Sequence, residues 1–355
     1  MTMTLGEVAS LVGGTLDGDP SILISDAGTL RESKEGFITL AESVEFLAHL
    51  QASQASAAIV SLDFPTVALP VIRVESPLQQ FGELVRCFRR MMKPPKAGVD
   101  SRAIVDPSAC IHETASISAG CVIGEDVVIA AGVVVLPNAV IMDGTTIGER
   151  SVIFPNVVLY ENTQVGRGCI VHAGAVLGSY GFGYESSSVR HELSVQYGYV
   201  VLEDEVEVGA NTTIDRGTFG VTRVGQGTKI DNLVQIGHNC LVGEHNLLCA
   251  HTGIAGSVVT GQFVVMGGQV GVKDHVEIAS HVQLAGRSGA MRSLDSPGVY
   301  SGTPGVPLAK AMKELVAVSR LPELLKQVKK LQRQVDQLSD AATDDDDPTS
   351  QQDAA

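Results

Sequence analysis

The residues best suited to chemistry stand in one polar stretch, Lys229-Ile-Asp-Asn-Leu-Val-Gln-Ile-Gly-His-Asn239. His238 lies two residues past the apolar Ile236, and Gly256 follows eighteen residues later. A neutral imidazole can remove a proton from a nucleophile, and a free backbone N–H at a glycine can support the resulting oxyanion. Brought together, the two suit acyl transfer. Asp231, in the same stretch, is a candidate to orient the imidazole or to favour its charged form. There is no Gly-x-Ser-x-Gly elbow, and none of the six cysteines carries a nucleophile signature. That pattern argues for direct transfer from a thioester to an acceptor, without an acyl-enzyme. Metal binding is the competing chemistry, because His245 and His251 are six residues apart, as are His275 and His281.

For His238 to meet Gly256, the chain must return on itself every eighteen residues. From Val105 an apolar residue recurs at every sixth position, through Ile111, Ile117, Ile123 and onward to Leu177. The series resumes at Leu202, Val208 and Ile214, then runs from Val224 to Leu284. Of these 27 positions only Thr260 and Met266 are not Val, Ile or Leu. Helices repeat at 3.6 and strands at 2, so neither explains the spacing. A six-residue period is the mark of a parallel β-helix with three faces per coil, here nine coils, stacked about 4.8 Å apart. One aliphatic side chain per face points to the axis. Gly124, Gly148, Gly166, Gly178, Gly209, Gly225, Gly243 and Gly267 fall beside corners, where wide side chains would clash and some residues need positive φ. Histidines six apart then lie on adjacent faces and point different ways, which weakens the metal reading. The period leaves the handedness open.

Residues 1–97 lack this period and read as a small α/β domain. Thr4 can cap a helix ending at Gly13-Gly14. A second helix is predicted over 42–51, strands over 57–61 and 67–74, and a third helix from Ser76-Pro77 through Arg90. Arg86, Arg89, Arg90, Lys93 and Lys96 read as a solvated basic face, and Lys93-Pro-Pro-Lys-Ala97 as a linker. The β-helix spans 98–304. It is interrupted over 179–199, around Tyr180-Gly-Phe-Gly-Tyr184, and by four extra residues between Ile214 and Val224. Long loops on rigid scaffolds tend to carry function. Residues 305–340 read as C-terminal helices. Leu321, Leu324, Val328, Leu331, Val335 and Leu338 form a heptad stripe, with Pro322 in its first turn. Such a stripe calls for self-association, and a trimer matches a triangular prism. Residues 341–355 read as an acidic disordered tail.

Composition narrows the partners. The net charge of −15 argues against nucleic acid, although six acids lie in the last sixteen residues. The cysteines read as reduced packing residues of a cytoplasmic protein. No signal peptide and no bilayer-spanning run is evident.

Three motifs carry a resemblance. Gly209-Ala-Asn-Thr-Thr-Ile-Asp-Arg-Gly217, Ile230-Asp-Asn-Leu-Val-Gln-Ile-Gly-His-Asn239 and Pro297-Gly-Val-Tyr-Ser-Gly-Thr-Pro304 resemble those of the UDP-3-O-(3-hydroxyacyl)glucosamine N-acyltransferases of lipid A biosynthesis. The resemblance implies a left-handed β-helix homotrimer with active sites between neighbouring prisms. It implies transfer of a 3-hydroxyacyl group from acyl carrier protein to the 2-amine of the UDP-sugar, with no metal or dissociable cofactor, since phosphopantetheine arrives on the carrier. His238 matches the family's general base, Gly256 its oxyanion donor, His275 its second active-site histidine and Asp231 the motif aspartate, with Asn232 beside it at the substrate. The uracil sandwich maps to Leu40, Ser43 and Phe46, where the family usually has Phe, Asn and Tyr, and Tyr180 stands where Asp is usual. The acyl groove maps to Gly286–Arg292, with Gly289 and Ala290 small, Met291 adaptable and Arg292 at its end. Arg287, Arg292, Lys310, Lys313 and Arg320 offer a basic patch for the acidic carrier. O-acyl transfer to UDP-N-acetylglucosamine and a non-catalytic trimeric β-solenoid are the alternatives.

Overall fold

The computed structural model describes residues 2–89 and 95–344. Arg90, Lys93, Pro94 and the acidic tail beyond 344 lie outside the described residues. The chain forms two compact units, Met1–Pro94 and Pro95–Ala355.

In the first unit five strands form a sheet in the order Thr15–Asp17, Val71–Val74, Ala57–Ser61, Phe37–Ala41, Asp26–Ala27. Leu5, Val8, Ile38, Ile59, Ile72 and Leu84 make its core. Thr4 caps the Leu5–Leu11 helix through a reciprocal capping box with Glu7. The predicted 42–51 helix is shorter, a 3-10 turn at Val44–Phe46 followed by Leu47–Ala52. The strand expected from 67 begins at Val71, because Pro70 has no N–H for a ladder. The third helix is Pro77–Phe88, and Arg89 is not simply solvated: its guanidinium donates to the Ala27 carbonyl at 3.1 Å.

The second unit is a left-handed parallel β-helix. Its three faces carry twelve, ten and nine strands, visited by the chain in that order; they are called here the first, second and third faces. The register is eighteen residues, as in Cys110↔Val128 and Val128↔Thr146. The predicted axis residues are buried, Ile129, Ile141, Ile153, Leu177 and Ile236 among them. Strands at Gly98–Val99, Gly289–Ala290 and Gly298–Ser301 extend the prism at both ends beyond the nine coils read from spacing.

Of the two reasons expected for the corner glycines, close approach accounts for most and positive φ for one. Positive φ falls three residues after most axis positions, at Asn138 (63°), Asn156 (61°) and Asn239 (62°), for example. Asparagine tolerates this conformation best among residues with a side chain. The glycines singled out from sequence fall one residue after the axis position, and of the eight only Gly178 has positive φ. The others are small because the next coil's backbone is too close. A Cβ on Gly148 would lie 2.6 Å from the Gly166 carbonyl carbon.

One continuous helix, Leu308–Asp344, follows the prism, so the expected helices are one and Pro322 is interior to it. The proline leaves the Val318 carbonyl without its usual N–H partner. The heptad residues Leu321, Leu324, Val328, Leu331, Val335 and Leu338 are all exposed within the chain. Among the described residues no helix is long and apolar enough to cross a membrane.

Gly148→Ala is expected to cost about 1–3 kcal/mol through overpacking against the next coil. Gly220→Ala, where a Cβ meets nothing within 4 Å, should be close to neutral. Thermal melting of the two variants checks this; equal melting temperatures would remove the steric explanation.

Candidate functional site

One edge of the prism collects the site. Both interruptions leave the second face and return to the third. The first loop runs between Val176–Ser179 and Tyr199–Leu202, and the second between Thr213–Asp215 and Val221–Val224 of the next coil. His238 occupies the same edge one coil later, after Gln235–Ile236. Gly256 and Asp274 follow at the same place in the next two coils, each displaced by eighteen residues, with His275 beside Asp274.

The predicted meeting of His238 and Gly256 is present. A Cβ on Gly256 would lie 2.6 Å from His238 Nε2, so only glycine leaves room for the ring. From the other side Gly181 of the long loop closes in, where a Cβ would stand 2.7 Å from His238 Cβ. The Nδ1 atom is buried and has no hydrogen-bond partner among the described residues, whereas Nε2 lies toward Gly256. The cleft, of about 640 Å³, is also lined by Tyr180, Phe182, Asp215, Asp274 and His275.

Asp231 does not orient this imidazole within the chain. It follows Ile230 on the first face and lies at a different edge. Its carboxylate accepts from the N–H groups of Asn232 (2.7 Å) and Ala250 (3.0 Å), and it lines a separate cavity with His172 and Cys249. The carboxylate in the His238 cleft is Asp215. It is buried, and it accepts from Ser179 Oγ at 2.8 Å and Gln235 Nε2 at 3.0 Å. Burial pushes its carboxyl above the ordinary range, opposed by those two hydrogen bonds and by the charge of His238. Sequence reasoning missed Asp215 because the four extra residues after it hide its register; Ile214 pairs with Ile236, which brings Asp215 beside Gly237.

Arg216, also missed, roots the long loop. Its Nε donates to the Gly178 carbonyl and an Nη donates to Glu161, both at 2.6 Å. The buried guanidinium sits between the rings of Tyr160 (5.6 Å) and Tyr180 (5.2 Å). Tyr180 therefore has a physical role as one wall of this clamp.

The remaining predicted residues are more scattered. His275 is exposed, and its Nδ1 donates to Asp274 at 3.1 Å. That hydrogen bond is the largest cause holding the Asp274 carboxyl below its usual range. Asn232 accepts from the Ala210 N–H at 2.7 Å. Gly289 and Met291 line a shallow groove of about 620 Å³ with Gly253, Gly271 and Thr303. Arg292 and Met291 also line a cavity against Lys310 on the C-terminal helix. Leu40 packs on the first unit's core, while Phe46 is 39% exposed, so Phe46 offers a ring face and Leu40 does not. Ser43 precedes the 3-10 turn and makes no side-chain cap. Three cysteines, Cys121, Cys169 and Cys240, are buried; burial pushes the Cys240 thiol up to about 11, which disqualifies it as a nucleophile. Among the described residues no cluster of three metal-ligating side chains exists.

Asp215→Asn should change how stability depends on pH. A carboxyl raised on folding contributes stability that is present below its unfolded value and lost as pH rises through its folded value. Relative to the variant, the wild type should therefore lose melting temperature as pH rises above about 4, the ordinary carboxyl range. A difference that stays constant with pH would show that burial does not disfavour the charged carboxylate.

The sequence has relatives with known names. A family model described as the GMPPB C-terminal domain matches residues 99–218, which are repeat coils that end before His238. The chain is 44% identical over 175 residues to a UDP-3-O-acylglucosamine N-acyltransferase of Methylococcus capsulatus, an alignment spanning about half (49%) of each chain. With the enzyme of that name from Methylacidiphilum infernorum it is 37% identical over 95% of this chain and 96% of the other. With that from Anaeromyxobacter dehalogenans it is 36% identical over 97% of this chain and 99% of the other. These end-to-end alignments take in the α/β unit, the interrupted prism and the His238 edge alike, and on them the chain belongs to the UDP-3-O-acylglucosamine N-acyltransferase family.

Proposed function

We propose that this protein transfers a 3-hydroxyacyl group from acyl carrier protein to the 2-amine of UDP-3-O-(3-hydroxyacyl)glucosamine, forming an amide. The observation that carries this reading is the close approach of the His238 ring to Gly256, whose N–H donates to no acceptor among the described residues. The amine nitrogen attacks the thioester carbonyl while His238 takes the amine proton on Nε2. The carbonyl oxygen gains negative charge, which the Gly256 N–H stabilises. The C–S bond then breaks, the imidazolium returns its proton to the thiolate, and the carrier leaves with a free thiol. Asp215 faces the imidazolium while it is charged. The balance closes with no metal and no redox partner, and phosphopantetheine is brought by the carrier.

Supporting features extend this reading to the substrates. Phe46 would stack on uracil, with Ser43 next to it. Asp231 and Asn232 sit on a second edge of the prism, so they would reach substrate only across a subunit boundary. The exposed heptad stripe supports a homotrimer, which would supply that boundary. Arg292 and Lys310 beside the groove offer positive charge to an acidic carrier. The reduced, unpaired cysteines fit a cytoplasmic setting.

His238→Ala should lower kcat by roughly 10²–10⁴-fold. Mass spectrometry of the product from 3-hydroxyacyl carrier protein and the UDP-sugar reads this directly. An amide formed equally well by the variant would remove His238 as the base, and no amide from the wild type would remove the reaction. A second expectation concerns the groove. A Cβ on Gly289 would already approach the Thr303 side chain to 3.0 Å. Gly289→Met should therefore shift preference to shorter acyl donors, and an unchanged chain-length profile would separate the groove from the acyl chain.

A further inference from the structure

The corners of the prism follow a capping rule that the active site breaks. Two residues past an axis position, the backbone N–H points along the prism toward the next coil. At four corners a short polar side chain at the equivalent place in that coil accepts this N–H, whereas Ser179, at that place above Glu161, donates to Asp215 instead. Asp143 caps Glu125 N–H at 2.8 Å and Asp204 caps Arg167 at 2.7 Å. Asn232 caps Ala210 at 2.7 Å and Ser280 caps Gln262 at 3.0 Å. Asp274 stands in this place above Gly256, eighteen residues on, and is the same residue type as Asp143 and Asp204. It does not cap. Its carboxylate is turned to the neighbouring His275 Nδ1 at 3.1 Å, and the Gly256 N–H is left without an acceptor among the described residues.

We infer that His275 is a positioning residue that holds the Asp274 carboxylate off the Gly256 N–H, keeping this donor free for the reaction. The inference rests on the proposed role of Gly256 as oxyanion donor. The alternative to the pair with His275 is a charge-assisted hydrogen bond of the kind seen at Glu125 and Arg167. That bond would occupy the donor and would place a negative charge where the oxyanion forms, so it would oppose catalysis twice. His275 has the means to prevent it: it is the next residue, and positive φ (58°) turns its side chain at the corner. Both side chains are mostly exposed, at 75% for His275 and 56% for Asp274, so the switch between partners needs no repacking of the core.

The test is a double-mutant cycle of His275→Ala and Asp274→Ala, read in kcat and in the hydrogen exchange of the Gly256 amide. In His275→Ala the freed carboxylate should cap Gly256. Exchange of that amide should then slow by tenfold or more, and kcat should fall by at least tenfold. Removing Asp274 as well should restore fast exchange and recover most of the kcat lost in His275→Ala. His275→Gln, which keeps a donor, should lie between wild type and His275→Ala. Equal kcat in His275→Ala and the double variant would overturn the inference, as would a Gly256 amide whose exchange His275→Ala leaves unchanged. A wild type that makes no amide would defeat the proposed reaction, while the exchange measurement would still decide whether His275 controls the cap.

Discussion

The stacking of one coil on the next, in parallel register at eighteen residues, is the constraint on which the rest of this protein depends. Each coil hands its strand N–H and C=O groups to its neighbours, so the backbone is satisfied only if successive coils stay aligned. Alignment brings main chains so close at the corners that Gly148, Gly166 and Gly209 cannot carry a Cβ without moving the next coil. It also repeats every corner in space, so that residues eighteen apart in sequence become neighbours. A site can then be assembled from short stretches of chain spread over 179–275, each about one coil from the next.

The same constraint explains why the extra chain segments are where they are. A segment that leaves the coil must return to the same register, and the strands that follow both interruptions do so, with Gln164 pairing to Val201 and Val201 to Arg223. Both are inserted at the edge that holds His238. The long loop leaves at Gly178, and Asp215 and Arg216 bind this root through Ser179 Oγ and the Gly178 carbonyl. Two adjacent residues thus divide the work. Arg216 fixes the loop whose Gly181 closes over His238, and Asp215 places a carboxylate in the cleft. A rigid root is needed because much of the loop is exposed, with Phe182 and Val189 among its accessible side chains.

The period-six apolar series made the prism legible from sequence, because an axis only one side chain wide per face admits little besides Val, Ile and Leu. It made the His238–Gly256 contact legible too, since eighteen residues is one coil. What could not be read was whatever depended on register across an insertion or on side-chain direction. Asp231 is close to His238 in sequence but at another edge, where it serves the backbone of the next coil. Asp215 is farther in sequence and lies in the cleft, concealed by the four residues that follow it. The corner glycines were legible as places where wide side chains clash, and close approach of coils explains all but Gly178, the one of the eight with positive φ. In the C-terminal region the heptad spacing was visible, yet Pro322 did not mark a helix start, because a helix already begun at Leu308 can carry a proline on an exposed face.

The capping pattern at the corners suggests how such a scaffold acquires an active site with little change. A free backbone donor aimed at a cleft is an unfavourable feature in a structural repeat, and at four other corners a short polar side chain removes it. At Gly256 the capping residue is still present, as Asp274, and its carboxylate is engaged elsewhere. The donor therefore did not have to be built. It is a corner N–H whose partner at four comparable corners is here engaged elsewhere, next to a histidine that fits because the residue one coil above it has no side chain.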